Sequence, residues 1–96
     1  MRLDFDRKKS QKNADERGLP FELLANFEWE TAAYYADNRK DYEEPRYVAF
    51  GYIEDRLYGV CFTPRQQGEV VRIISFRKAN SREVKHYEKE IKTNPQ

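Results

Sequence analysis

The sequence predicts an α+β domain, and three observations carry that prediction. Tyr47–Ile53 and Leu57–Thr63 alternate apolar with polar residues, and Val70–Phe76 is rich in β-branched residues, the signature of strands. The separators EDR and PRQQG hold the charged and glycine residues that hairpin loops favour. Helical patterns flank these strands on both sides, so the expected architecture is an antiparallel sheet with its helices packed on it, gathered on one face.

In chain order, Leu3 and Phe5 alternate with polar neighbours as in a short half-buried strand. Asp6 suits an N-cap and Gly18 a helix stop, and between them every residue of Arg7–Arg17 except Ala14 is polar or charged. This predicts a short, largely exposed first helix presenting Lys8, Lys9, Lys12 and Arg17. Pro20 suits a first helical position, and Phe21, Leu24, Ala25 and Phe27 follow at helical spacing, predicting a second helix over 20–28. TAAYYA, residues 31–36, reads as a further strand, and DNRKDYEEP as a loop ended by Pro45. After the hairpins, Asn80 with Glu83 makes a capping box for a last helix whose packing stripe is Val84, Tyr87 and Ile91, and TNPQ is a frayed end. The predicted order is β-α-α-β-β-β-β-α.

The 96 residues suit a single domain spanning 1–96, since two cores would each be too small to bury enough apolar surface. The net charge of +1 hides a segregation. Residues 1–18 carry six Lys/Arg against four Asp/Glu, residues 19–63 four against nine, and residues 64–96 eight against four. A basic C-terminal third meets the electrostatic minimum for a polyanion partner, and a solvated helix face meets the same description. The single cysteine, Cys61, lies in the apolar run LYGVCF and reads as a buried core thiol, so no internal disulfide or CxxC pair can form. MRLDFDRKKS has no apolar export region and no run of about 18 apolar residues occurs, so the expectation is a cytoplasmic protein with no membrane contact.

The sequence contains no GxxxxGK[ST], GxGxxG, HExxH or GxSxG motif. With one His and one Cys, neither a His-rich metal site nor a Cys–His dyad is supported, so no metal and no cofactor is expected. What remains is the basic set. A regular strand over 70–77 puts Val70, Arg72, Ile74 and Phe76 on one face and Val71, Ile73, Ser75 and Arg77 on the other. Arg72 then either pairs with an acidic residue such as Glu43 or Glu44, or lines a cleft. Arg77 and Lys78 leave the strand end, Arg82 and Lys85 occupy the first turns of the last helix, and His86 and Tyr87 follow. Arg46 and Arg65 converge on the same end of the sheet if the hairpins form as drawn. Guanidinium groups grip phosphates bidentately and tyrosine stacks on unpaired bases, a mixture that suits RNA.

RNA is cleaved without a metal when the ribose 2′-OH attacks the adjacent phosphate. That reaction needs a base, a cation for the developing phosphorane charge and an acid for the leaving 5′-oxygen. Arg and Lys supply the charge; His86, Tyr87, Lys12 or Glu43 are able to move protons, although each has an ordinary surface or packing role as its alternative.

The segments LDFDRKKSQKNADERGLPFE, PRYVAFGYIEDRLYGVCFTPR and VRIISFRKANSREVKHYE resemble the BrnT family of toxins from bacterial type II toxin–antitoxin systems. The likeness spans about residues 3–88 and is most specific from Arg72 to Ala79 and from Arg82 to Glu88. It implies a metal-independent endoribonuclease of the RelE-like fold that cleaves RNA and inhibits growth. It also implies a BrnA-like antitoxin, a ribbon-helix-helix protein whose complex with the toxin binds operator DNA. The positions matching the family pattern are Lys9, Asn13, Gly18, Phe21, Glu22, Arg46, Arg65, Arg72, Ser75, Arg77, Ala79, Arg82, Glu83 and Tyr87. Departures are Arg17 where the family has His, Phe76 for the common Ala, and Ser81 and Val84 for basic residues.

The resulting expectation assigns Arg65, Arg72, Arg77, Tyr87 and Lys12 to catalysis, and Lys9, Arg46, Lys78, Arg82 and Lys85 to RNA binding. The alternative is a non-catalytic interaction domain whose basic surface docks an acidic partner.

Overall fold

A computed structural model describes residues 1–93, with side chains through residue 90. Its elements are β1 (Arg2–Asp4), α1 (Arg7–Arg17), a 3₁₀ helix (Phe21–Asn26), β2 (Ala33–Ala36), β3 (Tyr47–Ile53), β4 (Arg56–Arg65), a 3₁₀ turn (Gln66–Gly68), β5 (Val70–Lys78) and α2 (Ser81–Thr93). The five strands form one sheet in the order β1-β5-β4-β3-β2. β3 to β5 make the two expected antiparallel hairpins and β2 adds to β3, also antiparallel, while β1 joins β5 in parallel, so the sheet is mixed and not wholly antiparallel. The reason is topological: the chain leaves β1 through a helix and returns to it only after the meander is complete.

The local signals act as expected at the helix ends. Asp6 accepts hydrogen bonds from the Lys8 and Lys9 amides, and Gly18 closes α1 in the left-handed conformation at φ 71°. Asn80 and Glu83 complete their reciprocal box, each backbone N–H donating to the other's side chain at 2.8–2.9 Å. The predicted helix over 20–28 is instead the shorter 3₁₀ helix, because Pro20 stays extended at ψ 147° and Phe27 is extended again at ψ 137°. β2 begins at Ala33, two residues later than the pattern suggested, and β4 and β5 run on to Arg65 and Lys78. α2 continues into the first residue of TNPQ; the remainder, and the expected contact of Ile91, lie outside the described residues.

Apolar packing occurs on both faces of the sheet, and the helices are divided between them, contrary to the one-face expectation. One face carries Leu19, Phe21, Leu24 and Phe27 from around the 3₁₀ helix against Ala49, Val60, Phe62, Val71, Ile73 and Phe76. The other holds a smaller cluster in which α2 sets Tyr87 and Val84 on Leu57, Phe50, Tyr52 and Ala79. α2 packs on the β3–β4 turn end of that second face, and the loop after β2 lies against its remainder, where Thr63 donates to the Pro45 carbonyl oxygen and Cys61 meets Asp37.

α1 is polar nearly throughout yet firmly seated. Ser10 is 3% exposed; its hydroxyl donates to Glu22 Oε1 at 2.7 Å and accepts from the Phe21 amide at 2.8 Å. Asn13 Nδ2 donates to the carbonyl oxygens of Leu19 and Phe76, tying the helix to β5 beyond the point where β1 stops pairing. One buried and one half-buried polar anchor thus replace the usual apolar stripe.

The largest correction concerns β5. Its register against β4 runs Gly59↔Arg77, Val60↔Phe76, Cys61↔Ser75, then Phe62↔Ile73 and Thr63↔Arg72, so Ile74 is an extra, unpaired residue. This β-bulge resets the alternation. Arg72, Ser75 and Arg77 consequently share the face that α2 partly covers, and Val71, Ile73 and Phe76 share the other. Strict alternation had placed Arg72 and Arg77 on opposite faces.

Candidate functional site

The part of this face beyond α2 is organised around arginines. At the end where β4 leaves the sheet, Arg46, Arg65 and Arg72 line a recess of about 350 Å³ with Lys9, Glu43, Glu44 and Thr63. The expected convergence of Arg46 and Arg65 is therefore present, and Arg72 stands with them. Arg65 makes a two-point contact with Glu44 at 3.0 and 3.2 Å. Arg72 Nη1 donates to Asp4 Oδ2 at 2.9 Å, so its partner comes from β1 and not from Glu43 or Glu44. The parallel register sets Asp4 directly beside Arg72, which is why the local loop does not supply the carboxylate. Arg46 lies 4.0 Å over the Tyr42 ring.

Farther along the same face, Arg77 holds Glu83 through two bonds of 2.8 Å and reaches back to the Lys78 carbonyl oxygen at 3.2 Å. The fork raises the Arg77 pKa, and the hydrogen bond from Arg77 holds the Glu83 carboxyl below the usual carboxylate range. Arg77 and Glu83 line a second recess of about 370 Å³ with Ser75, Cys61, Phe50, Tyr35 and Asp37.

Asp37 is a site feature that sequence reading assigned only to a loop. It is 6% exposed, accepts two 2.8 Å bonds from the Arg39 guanidinium and a third from the Tyr42 hydroxyl, and has the Cys61 thiol 3.9 Å away. The Arg39 hydrogen bonds drive its pKa far down. Burial, seconded by the Asp37 charge, pushes the Cys61 thiol up, consistent with an unreactive core cysteine. The available signal was an aspartate two residues before an arginine at a strand end, where its Oδ1 also accepts the Arg39 amide.

The other expected site residues fall elsewhere. Lys78 pairs with Tyr58 and projects from the opposite face to Arg77. Lys12 is exposed on α1 and lines neither arginine recess, whereas Lys9, also on α1, lines the first. Arg82 and Lys85 are exposed on α2. Tyr87 is 6% exposed; its hydroxyl donates to the Thr31 carbonyl oxygen at 2.8 Å and its ring packs edge-on to Tyr52. Burial raises its pKa, and its role here is in packing α2. Beside it, His86 Nε2 lies 3.0 Å from Glu90 Oε1 while Tyr35 donates to the other oxygen of Glu90 at 2.6 Å. Among the described residues no group of three or more His, Cys, Asp or Glu is arranged to hold a metal ion, and no helix is long and apolar enough to cross a membrane.

Fold and site together define a small α+β protein with one sheet face organised around arginine–carboxylate pairs. The chain belongs to the BrnT family: the family model described as ribonuclease toxin, BrnT, of type II toxin-antitoxin system matches residues 5–83. Membership gives RNA as the substrate class and an antitoxin as a partner. The matched span includes Lys9, Arg46, Arg65, Arg72, Arg77 and Arg82 and ends before Lys85, His86 and Tyr87. No curated protein matches the chain.

Proposed function

We propose that the chain is an endoribonuclease that cleaves RNA without a metal, by attack of a ribose 2′-OH on the adjacent phosphate. The observation that carries this reading is the bulge at Ile74, which turns Arg72 and Arg77 to one face in line with the recess of Arg65 and Arg46. A backbone laid along that face meets successive guanidiniums, and charge that develops on a phosphorane between them is stabilised by preset donors. Arg65, Arg72 and Arg77 are the phosphate-binding groups. Lys9, at the rim of the first recess, takes the positioning role over Lys12 and Tyr87, and Arg82 and Lys85 extend the basic surface along α2.

The RelE-like classification, the cytoplasmic site of action, the ribbon-helix-helix identity of a BrnA-like antitoxin and operator binding by the complex belong to the same proposal. The test is a cleavage assay on protein freed of antitoxin, in the presence of a chelator. Products ending in 2′,3′-cyclic phosphate and 5′-OH are expected. Intact RNA, with Arg72→Ala and Arg77→Ala indistinguishable from the unsubstituted chain, would sink the reading.

One observation favours a second reading. Arg65, Arg72 and Arg77 each already hold a carboxylate, so the same face is suited to exchange these for the acidic side chains of a protein partner. In that case the double variant loses partner binding and RNA is untouched throughout.

A further inference from the structure

Between α2 and the sheet lies a recess of about 350 Å³ lined by Tyr35, Phe50, Tyr87, His86, Arg82 and Glu83. Its character differs from the arginine recesses. Its lining is chiefly aromatic: Phe50, Tyr87, Tyr35 and His86, with the Tyr35 ring edge-on to Phe50 at 6.1 Å and its centre 6.3 Å from that of His86, tilted by 43°. One carboxylate oxygen of Glu90 accepts the Tyr35 hydroxyl and the other lies 3.0 Å from His86 Nε2, so Glu90 bridges the two rings. Arg82, on the rim, is exposed and forms no ion pair among the described residues.

The recess is continuous with the site. Phe50, Tyr35 and Glu83 line both it and the recess of Arg77, and the Arg77 guanidinium lies 5.9 Å from the centre of the Phe50 ring. A flat group resting on Phe50 therefore has a cation where an attached phosphate would follow. Aromatic surface paired at that spacing with guanidinium groups is the chemistry that binds an unpaired base and its backbone together.

We propose that this recess binds one unpaired nucleobase of a single-stranded RNA, stacked against Phe50 and His86, with its phosphates on Arg77 and Arg82. The inference rests on the ribonuclease reading and adds to it a base-binding subsite outside the matched family segment at His86. It also assigns the Glu90 bridge between Tyr35 and His86 as the device that positions the two rings.

The test uses the full chain, a 2′-O-methyl hexanucleotide that cannot be cleaved, and an abasic ribose-phosphate strand of the same length. His86 is the single histidine, so its ring protons report unambiguously by NMR. The intact strand is expected to shift them saturably and the abasic strand to leave them in place. Phe50→Leu and, separately, the exposed-site change His86→Ala should each weaken the intact strand roughly 5-fold or more and leave the abasic strand unchanged. His86→Ala cannot fail through lost core packing, since that side chain is 61% exposed. Equal affinity for the two strands, or an intact-strand preference untouched by both variants, overturns the inference. A parallel cleavage assay separates the two levels: cleavage without any His86 shift removes the base subsite alone, and neither binding nor cleavage removes the ribonuclease reading with it.

Discussion

Arg72 and Arg77 stand five positions apart in one strand and nevertheless face the same way, because Ile74 is left unpaired between Ile73 and Ser75. If the two act on one phosphate backbone, Arg72→Ala and Arg77→Ala should each lower the cleavage rate roughly 10²- to 10³-fold, the scale of a lost charge-stabilising donor. Stability should change by less than about 1 kcal/mol for Arg72→Ala, as both partners of its ion pair are solvent-accessible. Thermal unfolding beside single-turnover cleavage distinguishes these effects.

Deletion of Ile74 should be tolerated, because with the unpaired residue gone Val71, Ile73 and Phe76 fall at every second position and still share the main core by plain alternation. Phe76→Ala, which empties that core position, should cost about 3 kcal/mol or more. Denaturant unfolding is the measurement, and a deletion variant destabilised as much as Phe76→Ala would refute the bulge.

Glu83 has two tasks that substitution can separate. Glu83→Gln keeps a side chain able to cap Asn80 and gives up the charge that pairs with Arg77, whereas Glu83→Ala loses both. Ala should be less stable than Gln by about 1 kcal/mol, the usual worth of a cap. Binding of RNA at low salt should tighten in Glu83→Gln, since Arg77 is released to phosphate. Urea melts and titrations with a fluorescent oligonucleotide check the two effects.

Acid should unfold the protein from below the ordinary carboxylate range. The Asp37 and Glu83 carboxyls are held low in the fold, chiefly by Arg39 and Arg77. A depressed folded pKa contributes stability that is present above the unfolded value and is lost as pH falls through the folded one. Stability should therefore be level near neutrality and decline below about pH 4. Asp37→Asn should lower stability at pH 7 and flatten this decline, measured by circular dichroism across pH.

Tyr35 makes the opposite kind of prediction. Burial first, and its hydrogen bond to Glu90 second, push its pKa up to about 12. Its contribution is complete below the pKa of a free tyrosine and fades as pH rises from about 10 toward 12. Ultraviolet titration should show one phenol ionising last, and Tyr35→Phe should remove that step.

Strands β3 to β5, the α1 and α2 caps and the capping box were legible because each depends on neighbours in sequence: alternation, a left-handed glycine, an Asx side chain three residues from its partner. Residues with non-local partners were not. Asn13 sits in a run of charges with no apolar signal, and its meaning appears only when the Phe76 carbonyl oxygen, 63 positions away, reaches its amide. The nearest acidic loop does not supply the partner of Arg72; Asp4 does, delivered by parallel pairing of the first strand with the last.

The chain's own residues determined the meander, the limits of α1 and the start of α2, the buried thiol of Cys61 and the convergence of Arg46 and Arg65, all of which follow from periodicity and short connections. Tertiary structure alone decided which face Arg77 occupies. A bulge forms where two strands with their own packing demands must meet in register: Val71, Ile73 and Phe76 each need the same core, and leaving Ile74 out of the pairing lets all three reach it. No local propensity encodes that choice, because the energy that selects it comes from the opposite side of the sheet.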